Sequence, residues 1–125
     1  MKATKLLQYV CLFQADIPTQ KDGDVFMYIA VDAYSKVLFT TGVERDRSLE
    51  NIIKHTKLLI EDARFKETMQ RQKKFTLVYH KFSEIQTELT QIIEPYGGKM
   101  IIDDMYVTKI MMPVLHDFMM SLNKE

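Results

Sequence analysis

Residues 13–43, FQADIPTQKDGDVFMYIAVDAYSKVLFTTGV, are the stretch of sequence that decides the fold. They begin with a strand that ends at Asp16, followed by a polar turn whose Asp-Gly pair is a hairpin signal. The nearly continuous apolar run at residues 25–31 predicts a strand covered on both faces. A short turn at residues 32–36 leads into a third strand at residues 37–43. Three strands joined by two short connections predict an antiparallel meander.

Helices alternate with strands in the rest of the chain. Ser48 is suited to cap a helix that runs to about Phe65, and His55 in its middle is expected at a solvated or boundary position. The polar segment at residues 66–74 predicts a loop, and residues 103–112 show no clear pattern. The remaining predicted elements are a strand at residues 75–79, a helix from Ser83, a short strand at residues 99–102 and a last helix from Pro113.

The resulting order, β-β-β-α-β-α-β-α, predicts an α/β fold. A meander followed by alternating helices and strands implies a five-stranded mixed sheet with helices on its faces. Right-handed crossovers place the fourth strand parallel to a strand already in the sheet. The length of 125 residues suits a single domain, residues 1–125.

Composition excludes several classes of protein. Lysine plus arginine number 17, as do aspartate plus glutamate, so the net charge is zero and only a local patch could attract nucleic acid. The single cysteine, Cys11, excludes an intramolecular disulfide and fits a reducing cytoplasm; it lies in an apolar strand and is expected to be buried. No apolar run is long enough for a membrane span, and the N-terminus lacks a signal-peptide cleavage site. We therefore expect a cytoplasmic protein without a membrane partner.

One local concentration of basic residues stands out, in the segment that predicts a loop. A solvated loop is the simplest interpretation, and a patch that contacts nucleic-acid phosphates is the alternative. Because no aromatic residues are interleaved with the cations, stacking of single-stranded bases is not indicated. The candidate nucleic-acid-binding residues are Lys66, Arg71, Lys73 and Lys74.

Two motifs carry a resemblance to a known family. The first is Gln14-Ala15-Asp16 at the end of strand one, and the second is Asp32-Ala33-Tyr34-Ser35-Lys36 after strand two. With the order of elements, they resemble the catalytic core of retroviral-type integrases and DDE transposases, which have the ribonuclease H-like fold. The motifs match over residues 14–42, and the element order agrees over nearly the whole chain. The resemblance implies an integrase-core-like domain of mobile-element origin, in a DNA-integration family.

The same resemblance implies where catalytic carboxylates should lie. In the family, one ends strand one, a second follows strand four, and a third lies in the first turn of the helix after strand five. Together they hold two divalent metal ions that activate the nucleophile. Asp16 matches the first position, but no carboxylate lies between residues 75 and 83. Asp117 fits the third position only if the last helix begins at Pro113. Asp32 is expected to form a turn, with its side chain bonded to backbone amides.

Three functions follow from these residues. The first is a catalytically inactive, integrase-like domain without a cofactor, which associates as a homodimer or with another mobile-element protein. The second is an active Mg²⁺- or Mn²⁺-dependent polynucleotidyl transferase or nuclease with a non-standard set of carboxylates, Asp16, Asp104 and Asp117, in which Asp16 and Asp104 would bind metal. The third is a DNA-binding module without catalysis that uses the basic segment.

Overall fold

The chain up to Glu44 folds as the predicted antiparallel meander, and the rest of the chain adds helices and two more strands. A computed structural model describes residues 2–19, 21, 23–81 and 83–123, so Asp22 of the predicted hairpin turn lies outside the described residues. The elements in chain order are β1 Tyr9–Thr19, β2 Gly23–Asp32, β3 Leu38–Glu44, α1 Leu49–Glu61, α2 Ala63–Gln72, β4 Phe75–Tyr79, α3 Gln86–Ile93, β5 Gly98–Ile102 and α4 Asp104–Asn123. Single helical turns, Ser83–Ile85 and Glu94–Tyr96, flank α3.

The described strands form one mixed sheet in the order β3-β2-β1-β4-β5. β1 pairs antiparallel with β2 from Val10 opposite Asp32 to Thr19 opposite Gly23. β2 pairs antiparallel with β3, and β4 is parallel to both β1 and β5. The predicted α/β fold with a mixed sheet is therefore confirmed, and β1 lies at its centre.

The two faces of the sheet build two separate cores. Alternate residues of β1 point to opposite faces, as the period of a strand requires. Val10 and Leu12 enter the core that lies under α1, α2 and α3. Cys11 and Phe13 enter the core that lies under α4. Cys11 is fully buried, as the sequence predicts, and burial raises the pKa of its thiol to about 12. One helix therefore covers the second face, whereas three cover the first.

The prediction of a loop at residues 66–74 is wrong, because α2 occupies most of this segment. Asp62 takes an extended conformation that ends α1, and its carboxylate accepts a hydrogen bond from the Phe65 amide at 3.0 Å, which caps α2. Phe65 and Met69, four residues apart, pack onto the core from one face of α2. These two apolar residues hold an otherwise polar helix on the core. Because they are so few, they give only a weak helical period in the sequence. Lys73 ends α2 in a left-handed conformation.

The last helix is longer than the sequence indicates, since it begins at Asp104 and runs through Pro113. The Asp103 carboxylate accepts a hydrogen bond from the Tyr106 amide at 3.0 Å and fixes the start of the helix. Tyr106 and Ile110 are buried against β1, so their packing holds the first turns in place. This packing offsets the backbone hydrogen bond that a proline inside a helix removes.

Asp32 forms the turn after β2, which confirms the prediction for this residue. Its buried carboxylate accepts a hydrogen bond from the Leu7 amide at 3.0 Å through Oδ1. Its Oδ2 accepts from the Ser35 amide at 3.0 Å and from the Ser35 hydroxyl at 2.6 Å. The aspartate and serine of this motif therefore have a structural role, since they tie the N-terminal segment to the β2–β3 turn. Among the described residues, no helix has the length and apolar character needed to cross a membrane.

Candidate functional site

The candidate catalytic residue, Asp16, lies on the part of β1 that extends beyond its pairing with β4. The parallel pairing ends where Cys11 lies opposite Val78, whereas Asp16 lies opposite Phe26 of β2. On the other side of β1 there is consequently an opening, which the chain after β4 and the helix α4 enclose. Asp16 therefore faces a cleft and is solvent-exposed.

This Asp16 cleft has a volume of about 490 Å³. Four parts of the chain form it: β1, the segment before α1, the residues that follow β4, and the middle of α4. Its described lining residues are Gln14, Ala15, Asp16, Ile17, Arg47, His80, Lys81, Met111 and Leu115. The cleft is large enough for a small ligand, and its chemistry depends on the few charged residues at its edge.

Asp16 is paired with a cation, Arg47, from the segment between β3 and α1. The guanidinium of Arg47 donates to Asp16 Oδ2, and the Gln14 side-chain amide donates to Oδ1 at 3.4 Å. The guanidinium also lies over the ring of Phe26, 5.2 Å from its centroid, and Phe26 is the β2 residue opposite Asp16. The ring and the carboxylate together place Arg47 at the mouth of the cleft. The charge of the one lining carboxylate is thereby compensated.

The segment after β4, where the sequence lacks the second carboxylate, contributes His80 and Lys81 to the cleft. Lys81 is exposed, and its positive charge opposes a divalent cation in the same cleft. Burial lowers the pKa of His80, and the neighbouring Asp104 partly opposes this effect. This direction favours the neutral imidazole, which adds no charge to the cleft.

The other two candidate carboxylates do not line this cleft. Asp104 is the first residue of α4, and its Oδ1 accepts a hydrogen bond from the Lys81 amide at 3.2 Å. Asp117 lies well inside α4 and lines a separate groove, because the helix begins at Asp104 and not at Pro113. Asp104, and not Asp117, thus lies in the first turn of the helix after β5. Among the described residues, no three histidine, cysteine, aspartate or glutamate side chains are arranged to hold a metal ion.

The candidate nucleic-acid-binding residues lie on a different part of the surface, along α2 and just beyond it. Arg71 faces Glu67 at 3.6 Å, so its charge is partly compensated. Lys66 lines a shallow pocket beside Tyr96, and Lys73 and Lys74 are exposed at the end of α2. None of these side chains reaches the Asp16 cleft.

A groove between β3 and α4 is a feature that the sequence analysis missed. It has a volume of about 680 Å³ and an apolar floor, with one cation and one anion in its lining. We call it the β3–α4 groove, and its described lining residues are Met27, Ile29, Lys36, Leu38, Gly42, Val43, Ile110, Pro113, Val114 and Asp117. Val43 is 55% exposed. The nearly continuous apolar run of β2 indicates that both faces of the strand are covered, but it does not reveal how far α4 extends over the sheet.

His55 is the second feature that the sequence analysis missed, since it is buried and not solvated. Its ring stacks on that of Tyr28, with centroids 4.8 Å apart and planes within 7°. His55 Nε2 lies 3.1 Å from Glu44 Oε1, and the same oxygen accepts from Lys54 Nζ at 2.7 Å. The buried Nδ1 has no hydrogen-bond partner among the described residues, so we assign the proton to Nε2, which donates to Glu44.

The sequence matches no protein-family model and no curated protein sequence. The resemblance to integrase cores therefore rests on the two motifs and on the order of elements. The geometry of the cleft and of the groove is the remaining source of evidence on function.

Proposed function

We propose that the chain is an integrase-core-like protein of mobile-element origin with the ribonuclease H-like fold, which lacks nucleotidyl-transfer activity and associates with a second copy of itself. The strand order, with β1 at the centre and β4 parallel to it, supports the fold assignment. The place of Asp16, on β1 at a cleft that the residues after β4 also line, supports the resemblance. The loss of activity and the self-association rest on separate observations.

The pairing of Asp16 with Arg47 is the observation that carries the loss of activity. Phosphoryl-transfer sites of this type use clustered carboxylates to hold two divalent metals against their mutual repulsion. The Asp16 cleft offers one carboxylate and two cations, Arg47 and Lys81, in its described lining. A second Mg²⁺ or Mn²⁺ ion would therefore lack ligands, and a first would compete with a guanidinium already in place.

A nuclease and strand-transfer assay tests this conclusion. With Mg²⁺ or Mn²⁺ and labelled DNA ends, the purified protein should show no cleavage or joining above the level of a blank. Activity that disappears in Asp16→Asn would overturn the proposal and favour an enzyme built on Asp16 and Asp104. Asp24→Asn is the matched control, because Asp24 is an exposed aspartate on the same hairpin and does not line the cleft.

The β3–α4 groove supports self-association. A sheet face is stable when another layer covers it, and α4 covers only part of this face. Val43 and Leu38 on the outer strand remain 55% and 40% exposed. Exposed apolar surface of this kind, rimmed by charged residues, is typical of protein interaction sites. We therefore propose this groove as the interface.

A second copy of the chain is the occupant that the charges of the groove favour. Lys36 lies just before β3, at the end of the groove where that strand begins, and Asp117 lies on α4 beyond Val114. In a twofold dimer the same patch meets itself in reverse, so Lys36 of each copy would face Asp117 of the other. The apolar floors would meet between these two charge pairs, and the dimer would be electrostatically self-complementary.

Light scattering coupled to size-exclusion chromatography measures the state of association directly. We expect the mass of a dimer, with a shift toward the monomer on dilution. A strict monomer at high protein concentration would contradict the self-association and leave the conclusion about the Asp16 cleft untouched. Val43→Asp should yield the monomer, whereas Thr108→Asp, at an exposed α4 position outside the groove, should not.

A further inference from the structure

Tyr96 and Lys66 of α2 meet at a pocket on the face of the sheet opposite α4. The pocket has a volume of about 270 Å³. Ile60, Phe65 and Met69 provide apolar lining, and Lys66, Gln70 and Tyr96 complete the described lining. Tyr96 is 51% exposed, so a large part of its ring is available to a ligand. The sequence shows no aromatic residue among these cations, and the fold supplies one from a later turn.

The turn that carries Tyr96 is held firmly against the end of α2. Gly97 has a φ of 86°, and a Cβ at this position would overlap the carbonyl oxygen of Lys73. The Phe75 amide also donates to the Gly97 carbonyl at 3.2 Å. These backbone contacts fix the turn that carries Tyr96 next to the backbone of Lys73 and Lys74, independently of the lysine side chains. The aromatic residue and the cations thus form a preorganised surface.

The cations around this pocket are available to a ligand. Lys66, Lys73 and Lys74 are exposed and form no ion pair within the described part of the chain, whereas Arg71 faces Glu67. Glu94, in the same helical turn as Tyr96, and Glu61, next to the lining residue Ile60, are exposed carboxylates that form no ion pair among the described residues. The three lysines outnumber Glu61 and Glu94, which leaves a local positive charge on a protein whose net charge is zero.

We propose that this pocket binds single-stranded nucleic acid, with a base stacked on Tyr96 and the adjoining phosphates near Lys66, Lys73 and Lys74. An exposed aromatic ring flanked by cations suits an unpaired base, because every base has a face that stacks and every linkage carries a negative charge. A duplex would satisfy the lysines but not the ring, since its bases are stacked on one another. The site lies apart from both the Asp16 cleft and the β3–α4 groove, so it does not depend on the proposed function.

A tryptophan reporter tests the stacking. The chain contains no tryptophan, so Tyr96→Trp introduces a single tryptophan, which can be excited separately from the tyrosines. Titration with an oligothymidylate of about 12 nucleotides should quench its emission. Tyr34→Trp is the matched control, because Tyr34 is also 51% exposed and lies in the β2–β3 turn beside Lys36. Its emission should not change, and equal quenching of both reporters, or of neither, would overturn the proposal.

Anisotropy of a labelled oligothymidylate then measures the affinity. Tyr96→Ala should weaken binding roughly tenfold or more, Tyr96→Phe should retain it, and Tyr34→Ala should leave it unchanged. The Lys73→Gln/Lys74→Gln variant should reduce the dependence of affinity on salt. Thermal unfolding of each variant confirms that it is folded. The proposal fails if the protein does not bind the strand at low salt, or if Tyr96→Ala binds as well as the unmodified protein. It also fails if a duplex of equal length binds as tightly as the single strand.

Discussion

The guanidinium of Arg47 donates to the carboxylate of Asp16 across the mouth of the cleft, although 31 positions separate the two residues. Their side chains are 63% and 45% exposed, so solvent screens the pair and its contribution to stability is small. The pair matters for function more than for folding. It places a fixed positive charge beside the one carboxylate that would have to receive a metal ion.

Removing Arg47 should change stability little and should not create a metal site. We expect Arg47→Ala to alter the free energy of unfolding by less than about 1 kcal/mol, because the ion pair is exposed. Addition of Mn²⁺ should not raise the melting temperature of this variant, since Asp16 still lacks a second carboxylate in the cleft. Urea denaturation measures the first effect, and thermal unfolding with and without Mn²⁺ measures the second. Arg45→Ala is the control, because Arg45 is exposed and lies outside the cleft. If Mn²⁺ stabilised Arg47→Ala but not Arg45→Ala, a metal site would be present and this prediction would be contradicted.

Exchanging the charges of the two charged residues of the β3–α4 groove tests the proposed dimer. Lys36→Glu and Asp117→Lys should each weaken association by roughly tenfold or more, because each brings two like-charged pairs together across the twofold axis. The combination of the two changes restores opposite charges and should restore association. Sedimentation equilibrium measures the dissociation constant of each variant. Lys109→Glu, an exposed change on α4 outside the groove, should have no effect on association. A double variant that dimerises no more tightly than the single variants would rule out this interface.

The sequence predicted the elements that strong local patterns specify. The apolar run of β2 and the Asp-Gly turn before it indicate the meander, and Asp32 indicates the turn after β2 that the structure contains. It did not predict α2, because only Phe65 and Met69 anchor that helix in the core. Nor did it place the start of α4, since Pro113 is a stronger local signal than the packing of Tyr106 on β1.

Contacts between distant parts of the chain account for what the sequence could not predict about the sites. Asp16 was found from the strand that it ends, but its partner Arg47 comes from the segment after β3. Likewise, the lysines of α2 are visible in the sequence, whereas the packing of Gly97 against Lys73 that brings Tyr96 to them is not. Pairings of this kind depend on how strands and helices come together, which composition and periodicity do not encode.

The Glu44 carboxylate should make stability depend on pH in the acid range. The hydrogen bond from Lys54 is the main cause that holds its pKa below the ordinary value of 4.5, and the hydrogen bond from His55 acts in the same direction. A folded-state pKa below the unfolded one stabilises the protein above pH 4.5, and this contribution is lost as the pH falls through the lower folded value. Glu44→Gln should therefore be less stable than the unmodified protein at neutral pH, and the difference should shrink below pH 4.5.

Urea denaturation at neutral pH and at steps below pH 4.5 measures this difference. Glu61→Gln is the matched control, because Glu61 is an exposed α1 glutamate that forms no ion pair among the described residues. The difference in free energy of unfolding between Glu61→Gln and the unmodified protein should not shrink below pH 4.5 in this way. A difference for Glu44→Gln that stays constant, or grows, as the pH falls would contradict the role of the Lys54 and His55 contacts.

Gly42 should be intolerant of any side chain, because the His55 ring occupies the space next to it. A Cβ at position 42 would overlap His55 Cε1. The ring cannot withdraw easily, since it is stacked on Tyr28 and bonded to Glu44. We expect Gly42→Ala to lower the free energy of unfolding by about 1–3 kcal/mol, which is typical of overpacking in a core. Denaturation in urea measures the loss.

A double-mutant cycle separates this steric effect from a general weakening of β3. In the His55→Ala background the ring is absent, so Gly42→Ala should lower the free energy of unfolding little or not at all. The coupling energy between the two changes should then be similar in size to the penalty of Gly42→Ala alone. Val43→Ala, the neighbouring change on the same strand, should show no coupling with His55, because Val43 is exposed in the β3–α4 groove. An undiminished penalty for Gly42→Ala without the ring would mean that backbone conformation, and not His55, requires the glycine.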